Sequence, residues 1–133
     1  LTFPTLMVTF AATTEDMHVT VQPVYLSDQS DLMALKAVFA YFVRIENHSS
    51  EEVQLLRRHW YIADAQGQVQ EVEGEGVVGQ QPVIGPGEVY TYNSFAMLRA
   101  LEGTMEGTYL MQRPGGERFR IAIPRFYLRA AAN

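Results

Sequence analysis

The feature that most constrains this chain is an alternation of apolar and polar side chains with a period of two, cut at short intervals by turn-forming clusters. Only an extended backbone sends successive side chains to opposite faces, so the pattern predicts strands. Over residues 36–46, Phe39, Tyr41, Val43 and Ile45 share one face, and Lys36, Arg44 and Glu46 share the other. Strict alternation over Val53–Asp64 puts Leu56, Trp60 and Ile62 on one face and Val53, Leu55, Arg57, His59 and Tyr61 on the other. Further strands are expected at 18–26, 68–73, 88–95, 104–113, 117–123 and 125–129, all rich in β-branched and aromatic residues. The clusters at 47–50, 65–67, 85–87 and 114–116 supply Gly, Pro, Asn and Ser, and three of the four read as tight hairpins. Pro23 lacks an amide donor and predicts an edge position for its strand. Only 31–37 and 96–102 have room for a helical turn or two.

About eight short strands without crossover helices predict an all-β fold, an antiparallel β-sandwich, rather than an α/β architecture. Residues 1–16 lack clear alternation and read as an N-terminal arm or an added edge strand; residues 17–133 read as a single sandwich domain. The length of 133 residues suits one domain.

The absence of cysteine excludes disulfide scaffolds, thiolate metal sites and cysteine nucleophiles. It also favours a cytoplasmic setting. The longest apolar run, 37–43, has seven residues, against the ~20 needed to cross a bilayer, so no membrane span is expected. The first cation is Lys36, which leaves residues 1–10 without the basic region of a signal peptide. A net charge of −5 argues against nucleic acid as a partner. The charge is unevenly spread. Residues 1–98 hold 12 acids and 4 bases, and residues 99–133 hold 3 acids and 6 bases. Pairing of the basic end with the acidic remainder is the expected outcome.

Gly74-Glu75-Gly76-Val77-Val78-Gly79 matches G-x-G-x-x-G. A dinucleotide cradle needs a helix to follow these glycines, and Pro82 and the 85–87 cluster leave no room for one. The segment therefore reads as a tight irregular loop, which offers a ligand- or partner-facing surface. Glu71, Glu73 and Glu75 recur at every second position, so on an extended chain they share a face, the one weak cation candidate. An exposed acidic face, or partners for Arg57 and Arg58, is the expected role. His18, His48 and His59 have no metal-binding spacing, and no nucleophile–base grouping stands out, so no catalytic residues are assigned and no cofactor is expected. Arg57-Arg58-His59-Trp60 is the most anomalous string. With Trp60 in the core, Arg58 points inward, and a buried guanidinium requires a partner. A carboxylate or several backbone carbonyls from 71–79 are the expected acceptors.

Arg58-His59-Trp60, Asp64-Ala65-x-Gly67, Val72-x-Gly74-x-Gly76-Val77-Val78-Gly79-x-x-Pro82, Pro86-Gly87-Glu88, Gly103-Thr104-Met105-Glu106-Gly107-x-Tyr109 and Ile123-Pro124-x-Phe126 resemble the ApaG (CorD) domain family. The blocks run in one order from about residue 19 to 128. The resemblance implies an immunoglobulin-like or fibronectin type III-like sandwich. It links bacterial members to cobalt resistance and magnesium efflux, and eukaryotic ones to protein binding, and it transfers no active site. One departure is visible: Tyr92-Asn93-Ser94-Phe95 stands where relatives commonly have Tyr-x-Ser-Gly. The expectation is a non-enzymatic binding module for an unidentified protein, with Gly74, Gly76, Gly79, Arg57, Arg58 and His59 at its surface. The alternative is a small-ligand or divalent-cation protein using the loop and the neighbouring glutamates. Open sheet edges make a homodimer an option.

Overall fold

The computed structural model describes residues 8–130, so residues 1–7 of the expected arm lie outside the described residues. Nine strands follow in order: β1 (Phe10–Thr14), β2 (Met17–Tyr25), β3 (Ala37–Asn47), β4 (Val53–Asp64), β5 (Val69–Glu75), β6 (Val83–Ile84), β7 (Val89–Leu98), β8 (Glu102–Gln112) and β9 (Arg118–Arg129). Every pairing between them is antiparallel. One sheet has the order β1-β2-β3-β7; the other runs β5-β4-β8-β9, with the short β6 also on β4. The two sheets face each other as an immunoglobulin-like sandwich, the all-β class that the alternation predicts. Among the described residues there is no α-helix, only 3-10 turns at Ser27–Gln29 and Leu32–Ala34, and so no helix long and apolar enough to cross a membrane.

The core forms where the inward faces meet. Phe39, Tyr41, Val43 and Ile45 of β3 are all buried, as their alternation predicts. Trp60 is 2% exposed and contacts both sheets: its ring lies 5.3 Å from Tyr41 and 5.9 Å from Phe126, in edge-on geometries favourable to aromatic pairs. Asn47 has a buried amide side chain. Its Nδ2 donates to the Glu51 and Ile84 carbonyls, and its Oδ1 accepts from the Ser49 amide and hydroxyl, so burial leaves no bond unmade.

Several expectations are corrected. Strict alternation fails in β4, because a bulge between Leu55 and Arg57 adds a residue. Val53 and Leu55 are buried before it and Trp60 after it, so the two sets that strict alternation assigns to opposite faces share the core. The strands expected at 117–123 and 125–129 are one strand, β9. Its register against β8 shifts between Ile123 and Phe126, and that irregularity accommodates Pro124 without ending the strand. Pro23 does not make β2 an edge strand, since β1 covers it; but β1 pairs only as far as Phe10↔Val21, so Pro23 lies beyond that cover. Residues 96–98 continue β7 instead of forming a helical turn. Two of the four turn clusters, 65–67 and 114–116, close hairpins. Those at 47–50 and 85–87 carry the chain between sheets.

Candidate functional site

The sandwich is closed along one side and open along the other. β9 packs against β1 and β2, where the Thr14 hydroxyl accepts the Ala122 amide at 3.1 Å. On the opposite side both sheets end, the first in β7 and the second in β5. A cleft of about 290 Å³ opens at this seam. β3 and β7 contribute Tyr41, Tyr92 and Ser94; β4 contributes Arg58 and Trp60; Glu75 and the segment Val77–Gly79 form the rim.

The rim is the glycine-rich string, and no helix follows it. Val77 and Gln80 exchange backbone hydrogen bonds of 2.8 and 2.9 Å, and the two residues between them, Val78 and Gly79, have φ of +48° and +75°. Two left-handed residues in a two-residue loop make a type I′ reversal. The Gly76 amide ties the reversal to β4 through the Leu56 carbonyl at 2.8 Å. Val78 is 63% exposed at the tip.

Arg58 holds the same loop from below. Its Nη1 donates to the carbonyls of Glu75 and Gly76 at 3.0 Å each, which are acceptors of the kind expected. The guanidinium lies against the Gly74 backbone: a Cβ there would stand 2.9 Å from Nη2 and 3.1 Å from Cζ. A guanidinium has five N–H donors. Nε and Nη2 have no acceptor among the described residues, and no carboxylate pairs with Arg58 there.

Hydroxyl groups line the opposite wall. Tyr41 lies directly across from Ser94 in the β3–β7 ladder, so the two hydroxyls share one wall of the cleft. Tyr92 and Tyr109 share a short hydroxyl–hydroxyl bond. Tyr109 is wholly buried, so it is the donor, because its proton would otherwise be stranded in the core. The Tyr92 hydroxyl proton then remains available at the cleft. Burial pushes the phenols of Tyr92 and Tyr109 well above the usual tyrosine range and also raises Tyr41, against the opposing pull of the Ser94 hydroxyl and the Arg58 charge. All three are neutral donors at ordinary pH. Unfolded tyrosines ionise near ~10, whereas the folded protein keeps these protonated, so their stabilising contribution is whole below pH ~10 and is lost as pH rises past it. The urea midpoint is expected to fall across about pH 10 to 12, and less steeply in Tyr92→Phe. Identical slopes in the two proteins would refute the assignment.

The other sequence candidates lie elsewhere. His59, next to Arg58, belongs to the outer face of β4: its Nε2 is 3.2 Å from Glu71 Oε2, its Nδ1 is 3.5 Å from Glu73 Oε1, and its ring stacks on Tyr61. Glu71 and Glu73 thus engage His59 rather than the arginines. Arg57 lies opposite Glu75 in the ladder. Among the described residues no group of three or more His, Cys, Asp or Glu side chains is arranged to hold a metal ion. The expected pairing of the basic C-terminal segment with the acidic remainder is corrected: of its six arginines, Arg125 pairs with Glu106 and Arg129 with Glu102 across the β8–β9 ladder, Arg113 binds Glu117 of the same segment and only the more distant Glu15 of the remainder, and no other arginine of the segment has an acidic partner among the described residues. Sequence reasoning did not nominate Tyr41, Tyr92, Ser94 or Tyr109. Their signal is present in the alternation, since a tyrosine at an inward-facing position carries a hydroxyl that needs a partner.

Comparison with known proteins gives concordant results. Residues 27–113 match a family model described as the ApaG domain. The chain is 54% identical over 119 residues to Protein ApaG of Paramagnetospirillum magneticum, covering 90% of this chain and 92% of that one. It is 49% identical over the same length to Protein ApaG of Rhodospirillum centenum, with the same coverage. Among solved structures, the crystal structure of an ApaA protein from Bordetella pertussis superposes with a TM-score of 0.85 at 44% identity, covering 89% of this chain and 96% of that one.

Proposed function

The chain belongs to the ApaG domain family, and on that premise we propose that it is a non-catalytic recognition module that grips a protein partner with the loop 76–80 and the cleft beneath it. One observation carries this reading. Val78, an apolar β-branched residue, is held exposed at the loop tip with φ of +48°. The left-handed region costs a non-glycine residue roughly 1–2 kcal/mol, and Asn or Gly relieves that cost in a type I′ reversal. A strained apolar tip that gains nothing by burial within its own fold is accounted for by a surface outside it.

The cleft supports the same reading from the chemical side. Apart from the Glu75 carboxyl at the rim, its polar groups are a guanidinium and neutral hydroxyls, and no hydrogen bond among the described residues joins a nucleophile to a base there. A cation would have to use Glu71, Glu73 and Glu75, of which the first two flank His59 and the third lies near Arg57 in the ladder. On this reading, the link to cobalt resistance and magnesium efflux that the resemblance implies would run through the partner rather than through an ion held by this chain.

The test uses the tip. A photo-reactive amino acid at position 78 is expected to cross-link the partner in cells, whereas the same residue at Gln66, in the turn at the far end of the β4–β5 hairpin, does not. Val78→Asn is expected to stabilise the isolated protein by about 1 kcal/mol and yet weaken the purified partner's affinity at least about tenfold. Unchanged affinity in this variant would overturn the proposal.

A further inference from the structure

The cleft has a polarity that identifies what it takes. Apart from Glu75 at the rim, the polar side chains that line it, Arg58, Tyr41, Tyr92 and Ser94, are all donors. Arg58 spends Nη1 on the Glu75 and Gly76 carbonyls, which leaves Nε and Nη2 without an acceptor among the described residues. Those two groups form the side-on fork that matches two carboxylate oxygens at once. Tyr92 keeps a hydroxyl proton after accepting from Tyr109, and Tyr41 and Ser94 bring two further hydroxyls to the same wall. Glu75, the one acid at the rim, has an exposed side chain and forms no ion pair with Arg58. One positive charge and several neutral donors lining one cleft suit an acceptor carrying one negative charge.

We infer that the cleft is an acid pocket: it receives a carboxylate of the partner, an Asp or Glu side chain or a chain terminus, which docks on the Nε–Nη2 edge of Arg58 and takes hydrogen bonds from Tyr92, Tyr41 and Ser94. This rests on the recognition-module reading and deepens it. A monoanion is favoured over a phosphate dianion, because the cleft holds a single cation beside Glu75 in a chain of net charge −5. At about 290 Å³ the space lies at the lower end of small-molecule pockets, which run from ~300 to ~1,000 Å³, and suits one side chain rather than a nucleotide.

The experiment follows the Arg58 Nε–H resonance and the amides of 75–80 by NMR while sodium acetate, inorganic phosphate or sodium chloride is added at matched ionic strength. Acetate is expected to give saturable shifts of the Arg58 Nε–H, chloride none, and phosphate weaker binding than acetate. Arg58→Lys keeps the charge but loses the fork, and is expected to weaken acetate binding at least about tenfold. Because Arg58 also braces the loop, Ser94→Ala serves as the second variant: its amide spectrum should remain that of the folded protein while acetate affinity falls roughly threefold to tenfold. Equal shifts with chloride, tighter binding of phosphate, or unaltered affinity in Ser94→Ala would each overturn the acid pocket. If acetate fails while position 78 still cross-links a partner, the recognition reading stands and the pocket falls. If cross-linking fails while acetate binds, the reverse holds.

Discussion

Gly107→Ala is expected to lower the unfolding free energy by roughly 3 kcal/mol or more, read from the urea midpoint by circular dichroism. Gly107 lies in the interior of β8, opposite Trp60 in the ladder with β4. A Cβ at this position would stand 1.9 Å from the His59 carbonyl oxygen and 3.2 Å from Trp60 Cα. Both obstacles include backbone, and an alanine methyl has no rotamer with which to avoid them. The strands would have to part where the second sheet carries its largest core side chain. β4 has little freedom to yield, since it is paired along this stretch with β5 on its other flank. Gly115→Ala is the control: nothing stands within 4 Å of a Cβ there, and a change within about 0.5 kcal/mol is expected. Equal midpoints for the two variants would mean that β4 and β8 do not approach as closely as described.

What could be read in the sequence, and what could not, follows from the range of the interactions. β3 was legible because it is flanked by strands throughout and one of its faces is buried end to end, so alternation alone sorts its side chains. β4 was legible as a strand but not in its faces, since a single bulge reverses the parity and no local residue type marks it. Pro124 misled for a related reason. The missing amide ends a strand only where the ladder needs it, and the β8–β9 register slips at that point. The need of Arg58 for carbonyl acceptors was legible as a matter of charge and burial, whereas its packing on Gly74 was not. The hydroxyl wall was the least legible part. Tyr41, Ser94, Tyr92 and Tyr109 meet through the β3–β7 ladder and across the sheets, pairings that sequence spacing does not reveal.

The second large effect separates the glycines of the G-x-G-x-x-G string, which the structure requires for different reasons. Gly76→Ala is expected to cost about 2–3 kcal/mol and to abolish acetate binding, because the residue has φ of +61° and its Cβ would stand 2.1 Å from the Gln80 carbonyl oxygen. Relieving that collision opens the reversal and withdraws the Glu75 and Gly76 carbonyls from Arg58. Gly79→Ala meets open space and carries only the strain of φ at +75°, about 1–2 kcal/mol, so acetate binding should survive. Gly74→Ala intrudes on the guanidinium rather than the backbone, and should displace the Arg58 Nε–H resonance more than it lowers the urea midpoint. A phosphate cradle would make the opposite demand: its third glycine serves helix–strand packing, and the helix that would need it is absent after Gly79. The order of damage therefore discriminates. If Gly79→Ala proves as harmful to stability and acetate binding as Gly76→Ala, the string is not the brace for Arg58 described here.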